Sequence, residues 1–432
     1  MTEPLSRHSK HSHKVPVVAI ATVAVVIIAT IAMIVIFFLR ASSSPSEKMS
    51  VPRAPKAVQS FASPTTETPP EPVTFTVAAT GDVLSHDWVV KASHRSDGTY
   101  DFEPLVANIT PYIKGADLPL FHSEVPFGFT EEQHSGYPVF AAPRGWVNSI
   151  KKMGYVGASL ASNHTWDQGR DGIENTIKLY EENGLGTSGA NVTAEQDPIQ
   201  YYKLHRNNRD IIIAHLSMTY GLNYENIPEL NDNPWLTHVN NPEHIIELAK
   251  KARSEGKADV VIASMHGGTE YMAQANEQQQ QWAKMLADSG VVDLYIGHHV
   301  HVPQPLAKIE GGVDGQGMYV FYGTGNLLSS MVPSMGDGTQ CGMIAHATIT
   351  VPGKGPAHVD SVGWTSIILD RGSLQVFPGH GYDQSKYPGA QLSTSAGQQY
   401  YQHVVSVAGD VGQEITEPGT PGGDPATVVP RK

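Results

Sequence analysis

Five stretches of the chain end an apolar run abruptly in side chains able to hold a metal ion: Gly81-Asp82, Ser123-Glu124, Ser162-Asn163-His164, His266-Gly267-Gly268 and Gly297-His298-His299-Val300-His301. Taken singly, most have ordinary readings. Asp82 after a glycine is a common turn residue, Glu124 a surface carboxylate and Asn163-His164 a capped turn. The last stretch is harder to read that way: Gly297 allows close approach, three histidines fall within four residues, and i, i+2 spacing on an extended backbone sends two imidazoles to one side. Together the set offers carboxylate, amide and imidazole donors and no thiolate, which suits borderline-hard divalent ions such as Mn, Fe(II) or Zn. Two such ions roughly 3.5–4 Å apart, bridged by a carboxylate, would activate a water and clamp a phosphoryl group, so phosphoester hydrolysis is the reaction they would serve. The remaining histidines, among them His205, His238, His346, His358, His380 and His403, read as hydrogen-bonded or surface residues.

For these five stretches to meet, the elements before them must run side by side. Val73–Ala79, Leu118–His122, Val156–Ala161, Ile211–Leu216, Val260–Ala263, Val291–Ile296 and Met318–Tyr322 are short apolar, strand-like runs suited to burial on both faces. Helical patterns fall between them. Asp171-x-x-Glu174 has the form of a capping box ahead of Ile173, Ile177 and Tyr180. Asn241-Pro242 opens a helix whose buried stripe is Ile245, Ile246, Ala249 and Ala252, and a third helix runs from Glu277 to Ser289 with Gly290 as its stop. This alternation predicts an α/β fold with a largely parallel sheet, in which the carboxyl ends of the strands form the ligand crevice. After residue 343 the pattern turns to strands without long helices, which predicts a second, more antiparallel sheet.

Composition narrows the setting. Of 432 residues, 29 are Lys or Arg and 42 Asp or Glu, a formal charge of −13, so a nucleic-acid partner is not expected. The single cysteine, Cys341, excludes an intrachain disulfide framework and a Cys-based zinc site. Val15–Leu39 is an uncharged run of 25 residues preceded by Arg7, Lys10 and Lys14. It is long enough to span a bilayer and longer than the apolar part of a cleaved signal peptide. The expected organisation is a cytoplasmic N-terminus at 1–14, a transmembrane signal-anchor helix at 15–39, a Pro/Ser/Thr-rich linker at 40–72, a globular domain at 73–408 outside the membrane, and a disordered tail at 409–432.

At the five stretches, and again at Gly323-Thr324-Gly325-Asn326, the sequence resembles the CapA family of capsule and poly-gamma-glutamate biosynthesis, which is related to calcineurin-like metallophosphoesterases. The resemblance implies a four-layer α/β/β/α sandwich with two central mixed sheets. Carried over residue by residue, it assigns Asp82 and His301 to one metal ion, Glu124 to a bridge, and Asn163, His266 and His299 to a second ion. It sets His164 beside the leaving group as an acid or electrostatic stabiliser, with Asp167 orienting it, and makes Glu270 a partner of His266 or a further acid/base. Two positions depart from the phosphoesterase pattern: Leu84 stands where a histidine would follow the aspartate by two, with His86 nearby but out of spacing, and Glu124 replaces an aspartate. The implied function is a membrane-anchored extracellular protein acting in capsule or poly-gamma-glutamate biosynthesis, export or attachment. Its partners would be capsule-synthase membrane subunits and an anionic polymer or phosphoester substrate. The alternative is an exported metal-dependent phosphoesterase or hydrolase acting on a cell-envelope substrate.

Overall fold

The computed structural model describes residues 69–432; the apolar run at 15–39 and nearly all of the linker lie outside the described residues. Among the described residues no helix is long and apolar enough to cross a membrane. The fold is mixed α/β with two mixed sheets. The first contains β1 (Val73–Val83), β2 (Leu118–His122), β3 (Gly157–Ser159), β4 (Gly186–Ser188), β12 (Cys341–Val351), β13 (His358–Leu369) and β14 (Val376–Pro378) in the order β14-β13-β12-β1-β2-β3-β4. Short β11 (Asn326–Leu328) lies alongside β1, and β15 (Gln413–Glu414) alongside β13. The second contains β5 (Gln200–Arg206), β6 (Arg209–Thr219), β7 (Val260–His266), β8 (Leu294–His298), β9 (Leu306–Ile309), β10 (Met318–Phe321) and β16 (Thr427–Val429) in the order β16-β5-β6-β7-β8-β10-β9.

Three apolar layers hold these elements. Val73, Phe75 and Val77 of β1 meet Leu118, Leu120, Ile211, Ile213, Val260 and Ile262 in a core between the two sheets. The other face of the first sheet packs its Ala78, Val83 and Phe121 against helical side chains such as Trp146, Ile150, Ile173 and Ile177. Behind the second sheet, Ile245, Leu248, Trp282 and Leu286 from the helices Pro242–Ser254 and Glu277–Ser289 cover Ala214, Leu216, Val261 and Ala263. Burial on both faces is why the central strands read as continuous apolar runs rather than alternating ones.

Two of the three expected helices form with their expected bounds, although in the first Leu248 is buried and Ile246 only half-buried. Asn241 accepts from the backbone N–H of His244 with Pro242 at the first turn, and Asn276 forms a reciprocal capping box with Gln279 while Gly290 closes that helix in the left-handed region. The third start is displaced. Helix Gly169–Glu182 begins before Asp171, and Glu174 accepts from Arg170 Nε at 3.1 Å instead of capping. The expected division of the sheets also differs. The late strands do not make a sheet of their own: β12 pairs antiparallel with the free side of β1, and the parallel strands divide between both sheets. A 15-residue helix, Thr394–Ala408, follows where none was expected; it buries only Gly397, Val404 and Ala408, too sparse a stripe to read. The segment from 409 onward, expected as a disordered tail, is ordered against the domain. β15 and β16 extend the two sheets, Gly422 N–H donates to Asp117 Oδ1 at 2.8 Å, and Arg431 donates to Asn191 Oδ1 at 2.9 Å. Its few apolar side chains cannot build a core, but its backbone can complete exposed strand edges that a composition count does not register.

His215 on β6 is fully buried, with Nε2 2.9 Å from Ser264 Oγ, and burial, aided slightly by His298, holds its pKa at about 3 against the ordinary 6.5. Below pH 6.5 the unfolded chain takes up a proton that the folded one refuses, so this stabilisation is complete above 6.5 and is lost as pH falls toward 3. Urea unfolding at pH 7 and pH 5 should show His215→Gln losing about 2 kcal/mol less than wild type over that interval. Equal losses in both proteins would remove burial of this imidazole as the cause.

Candidate metal centre

The site forms where both sheets present the carboxyl ends of their parallel strands. Asp82, near the end of β1, is in register with Asn326 of β11 on one side and His122 of β2 on the other. Gly81 makes this approach possible, because a Cβ there would stand 1.7 Å from the carbonyl oxygen of Gly325. Glu124 lies two residues beyond β2, where its backbone carbonyl accepts from Ser162 Oγ at 2.5 Å. That same Ser162 Oγ accepts from His164 N–H at 3.0 Å and so shapes the turn carrying Asn163 and His164. β7 ends on His266 and β8 on His298. His299 and His301 follow with φ of 88° and 61°, so left-handed backbone, not strand alternation, turns both rings to the same place.

These side chains converge in burial. Asp82 Oδ2 lies 3.2 Å from His301 Nδ1, and Glu124 Oε1 lies 3.7 Å from His301 Nε2. Asn163 Oδ1 is 2.7 Å from His266 Nε2. Three overlapping groups each bring their ligand atoms within 4.8 Å of one another: Asp82, His122 and His266; Glu124, His266 and His299; Asp82, Glu124 and His301. Asp82, Glu124 and His266 each belong to two of them. Asp82, Glu124, Asn163, His266, His299 and His301 are therefore brought together.

The protein does not satisfy this cluster by itself. Both carboxylate oxygens of Asp82, both of Glu124, and Nδ1 of His299 are buried without a hydrogen-bond partner. Unpaired buried carboxylates cost several kcal/mol each, so the donor set fits divalent cations on its own chemistry. Burial pushes the Glu124 carboxyl well up, opposed by His301. Burial also works against the Asp82 carboxylate, but the close His301 ring and the neighbouring His122 outweigh it and hold Asp82 at about 2. His301 itself is lowered by burial and raised by Glu124 and Asp82, with the carboxylates prevailing at about 9. Burial drives His122 and His266 well below 6.5 and His299 to about 3, leaving neutral rings with lone pairs to offer.

A cleft of about 500 Å³ opens onto the cluster, lined by Leu84, His86, Phe140, Asn163, His164, Glu270, Tyr271 and His301 among others, with no Lys or Arg. His164 Nδ1 lies 2.7 Å from Asp167 Oδ2, the pairing expected of them. Asp167 is held in turn by the Phe140 N–H at 2.7 Å. Asn223 accepts from Asn163 Nδ2 at 3.1 Å, and its own Nδ2 stands 3.2 Å from the His164 ring. Glu270 does not partner His266. The chain turns at Gly267-Gly268 instead of continuing as a helix, so i, i+4 spacing never forms, and Glu270 stands exposed at the cleft mouth. His86 accepts from Ser330 N–H at 3.1 Å and belongs to none of the three groups. His298 stacks on His122 at 4.1 Å and is likewise outside them.

His122 is the residue the sequence reading passed over. Its Nε2 lies 2.9 Å from His266 Nδ1 and 3.6 Å from Asp82 Oδ1, and its Nδ1 2.7 Å from Ser159 Oγ. A ring held this way fixes which nitrogen of His266 faces the cluster. The available signal was its place, since it ends an apolar strand two residues before Glu124 as the other candidates end theirs. Asn326, whose Oδ1 is 2.9 Å from His301 Nδ1, had been noted only as part of a matching stretch.

Gly297 supports the histidine loop. A Cβ there would lie 2.0 Å from the backbone oxygen of Tyr322, so Gly297→Ala must part β8 from β10. We expect a loss of about 3 kcal/mol or more by denaturant unfolding. A change under about 1 kcal/mol would contradict this packing.

A family model described as bacterial capsule synthesis protein PGA_cap matches residues 76–331. The capsule biosynthesis protein CapA of Bacillus anthracis is 26% identical over 260 residues, covering 59% of this chain and 59% of that protein. The PGA biosynthesis protein CapA of Bacillus subtilis (strain 168) is 24% identical over 252 residues, covering 57% and 61%. The chain thus spans about three fifths of the length of these curated relatives. Among solved structures, Haemophilus influenzae NAD nucleotidase aligns at a TM-score of 0.44 and 9% identity over 80% of this chain and 58% of that one. The calcineurin-like phosphoesterase YfkN of Bacillus subtilis aligns at 0.41 and 14% over 78% and 97%.

Proposed function

The chain belongs to the bacterial capsule synthesis family PGA_cap, and from that premise we propose that it acts in the biosynthesis, export or attachment of capsule or poly-gamma-glutamate, anchored in the membrane by residues 15–39 with its domain outside the cell. The observation that carries a metal-dependent role is the set of buried carboxylate oxygens on Asp82 and Glu124 that accept no hydrogen bond among the described residues, with only the His301 ring beside them. Asp82, His301 and the bridging Glu124 would hold one divalent ion, and Asn163, His266 and His299 with Glu124 a second, of the Mn, Fe or Zn type. Such ions would supply Lewis acidity toward a phosphoryl or carboxyl oxygen and an acidified water. His164 would serve beside them: Asp167 accepts its Nδ1–H, so Nε2, with Asn223 Nδ2 beside it at 3.2 Å, is the atom that would pass a proton to a leaving oxygen. Residues 73–432 carry 22 basic and 38 acidic side chains, so an anionic polymer meets net repulsion, and with no Lys or Arg lining the cleft its charge would be met at the metal centre. Capsule-synthase membrane subunits are the partners this reading calls for.

Deleting the gene should abolish surface polymer, and expression of wild type, but not of a Glu124→Gln variant, should restore it. Unchanged polymer in the deletion strain would end this reading. The His164–Asp167 pair favours a second reading, an exported phosphoesterase or hydrolase on a cell-envelope substrate. Turnover of bis(p-nitrophenyl) phosphate by Mn-loaded protein, with polymer unaffected by deletion, would favour it. For the anchor, protease added to intact cells should remove the domain and leave a short membrane-bound stub; a soluble secreted form beginning near Ala41 would refute retention.

A further inference from the structure

Beside the metal-capable cleft lies a larger cavity of about 770 Å³, and Tyr224 belongs to the walls of both. The partition between them is the loop after β6, which also carries Asn223, bonded to Asn163 and His164 on the cleft side. No Asp, Glu, Lys or Arg lines this second cavity. Its polar lining includes the side-chain amides of Asn226 and Asn231, its aromatic faces are Tyr224 and Trp235, and His238 and His244 border it. His238 is 5% exposed; its Nδ1–H donates to the Ser217 carbonyl at 3.1 Å, which leaves Nε2 as an acceptor without a partner among the described residues. Burial keeps this ring neutral, at about 4.

We propose that this cavity binds a neutral, hydroxyl-rich chain, a glycan segment, running past Tyr224 toward the metal centre. An imidazole lone pair accepts from a hydroxyl and repels a phosphate or carboxylate oxygen. A gamma-glutamyl chain would bring one carboxylate per residue against a lining without Lys or Arg, where the nearest guanidiniums are already engaged, Arg170 over the Trp235 ring and Arg431 on Asn191 Oδ1, and only the His244 ring could add charge. Side-chain amides donate to and accept from hydroxyls, and aromatic faces cover the apolar faces of sugar rings, the mixture of surfaces such a ligand needs. The direction of the chain rests on the metal-dependent reading above; the binding does not.

The test uses the full-length protein in detergent with a chelator present, so failure of the metal centre leaves it standing. Maltotetraose, cellotetraose, chitotetraose and tetra-gamma-glutamate are titrated by calorimetry and by saturation-transfer NMR. At least one tetrasaccharide should bind saturably, with affinity falling about tenfold or more in Trp235→Ala and in Asn231→Trp, whose new ring on an exposed residue blocks the cavity without touching the core. Three results overturn the proposal: no tetrasaccharide binding up to the millimolar range, tetra-gamma-glutamate binding in their place, or binding that Asn231→Trp leaves unchanged.

Discussion

Glu124→Gln should lose most of the metal-dependent rise in melting temperature shown by the wild type while keeping the stability of the metal-free fold. Glu124 belongs, like Asp82, to two of the candidate ligand groups, and both its oxygens are buried without a hydrogen-bond partner among the described residues. Glutamine keeps the volume and removes the charge, so metal-free protein is relieved of a buried carboxylate beside Asp82 while losing an attraction to His301. The bound state has no such compensation. A ligand at a thousand times its dissociation constant stabilises the fold by about 4 kcal/mol, and most of that should vanish. His299→Ala, which removes the unpartnered buried Nδ1, should act in the same direction, whereas exposed His205, paired only with Asp210 at 2.6 Å, can be replaced without effect. Elemental analysis and melting curves with and without Mn or Zn decide it. Wild type that carries no stoichiometric metal after metal-replete purification, or a Glu124→Gln variant with the full metal-dependent rise, would end the assignment.

His164→Ala should separate function from folding. The ring lies at the cleft surface and none of the three ligand groups includes it, so metal content should stay at the wild-type level. Asp167 keeps its bond from the Phe140 N–H, and Ser162 and Thr165 still close the turn, so the loss of stability should stay within about 2 kcal/mol. Loss of a positioned acid lowers turnover roughly 10²–10⁴-fold, and polymer production or hydrolysis should fall accordingly. A structural histidine tying this loop to Asp167 would give the opposite pattern, with lost stability and function reduced only in proportion. Metal content, melting temperature and activity measured on the same variant distinguish the two, and full activity would remove His164 from the mechanism.

The site was legible because its residues sit where local patterns end. Asp82, His266 and the histidines from 298 to 301 each mark the point at which a buried apolar run meets polar side chains, and strand ends of that kind face one crevice in any parallel sheet. Helix ends were legible for the same reason: Asn241 and Gly290 act within the turn they begin or close. His122 was missed although its position obeys the same rule, because nothing local announces that its ring will reach His266, 144 residues away. Of the two roles expected of Glu270, partnership with His266 is excluded because the glycines after His266 turn the chain away, while Glu270 does line the cleft.

By itself, then, the sequence determined most of the central strands, the spans of the helices opened at Pro242 and Glu277, the Asn241 cap, and which strand ends carry donors. Those are consequences of periodicity and of bonds spanning a few residues. The tertiary structure alone decided that β12 would join β1, that the tail from 409 would extend both sheets, and that His122 and Asn326 would orient His266 and His301. A free strand edge accepts any backbone of compatible register, and a buried ring takes the partner that packing brings within about 3 Å; both choices are made by which surfaces meet, not by neighbours along the chain.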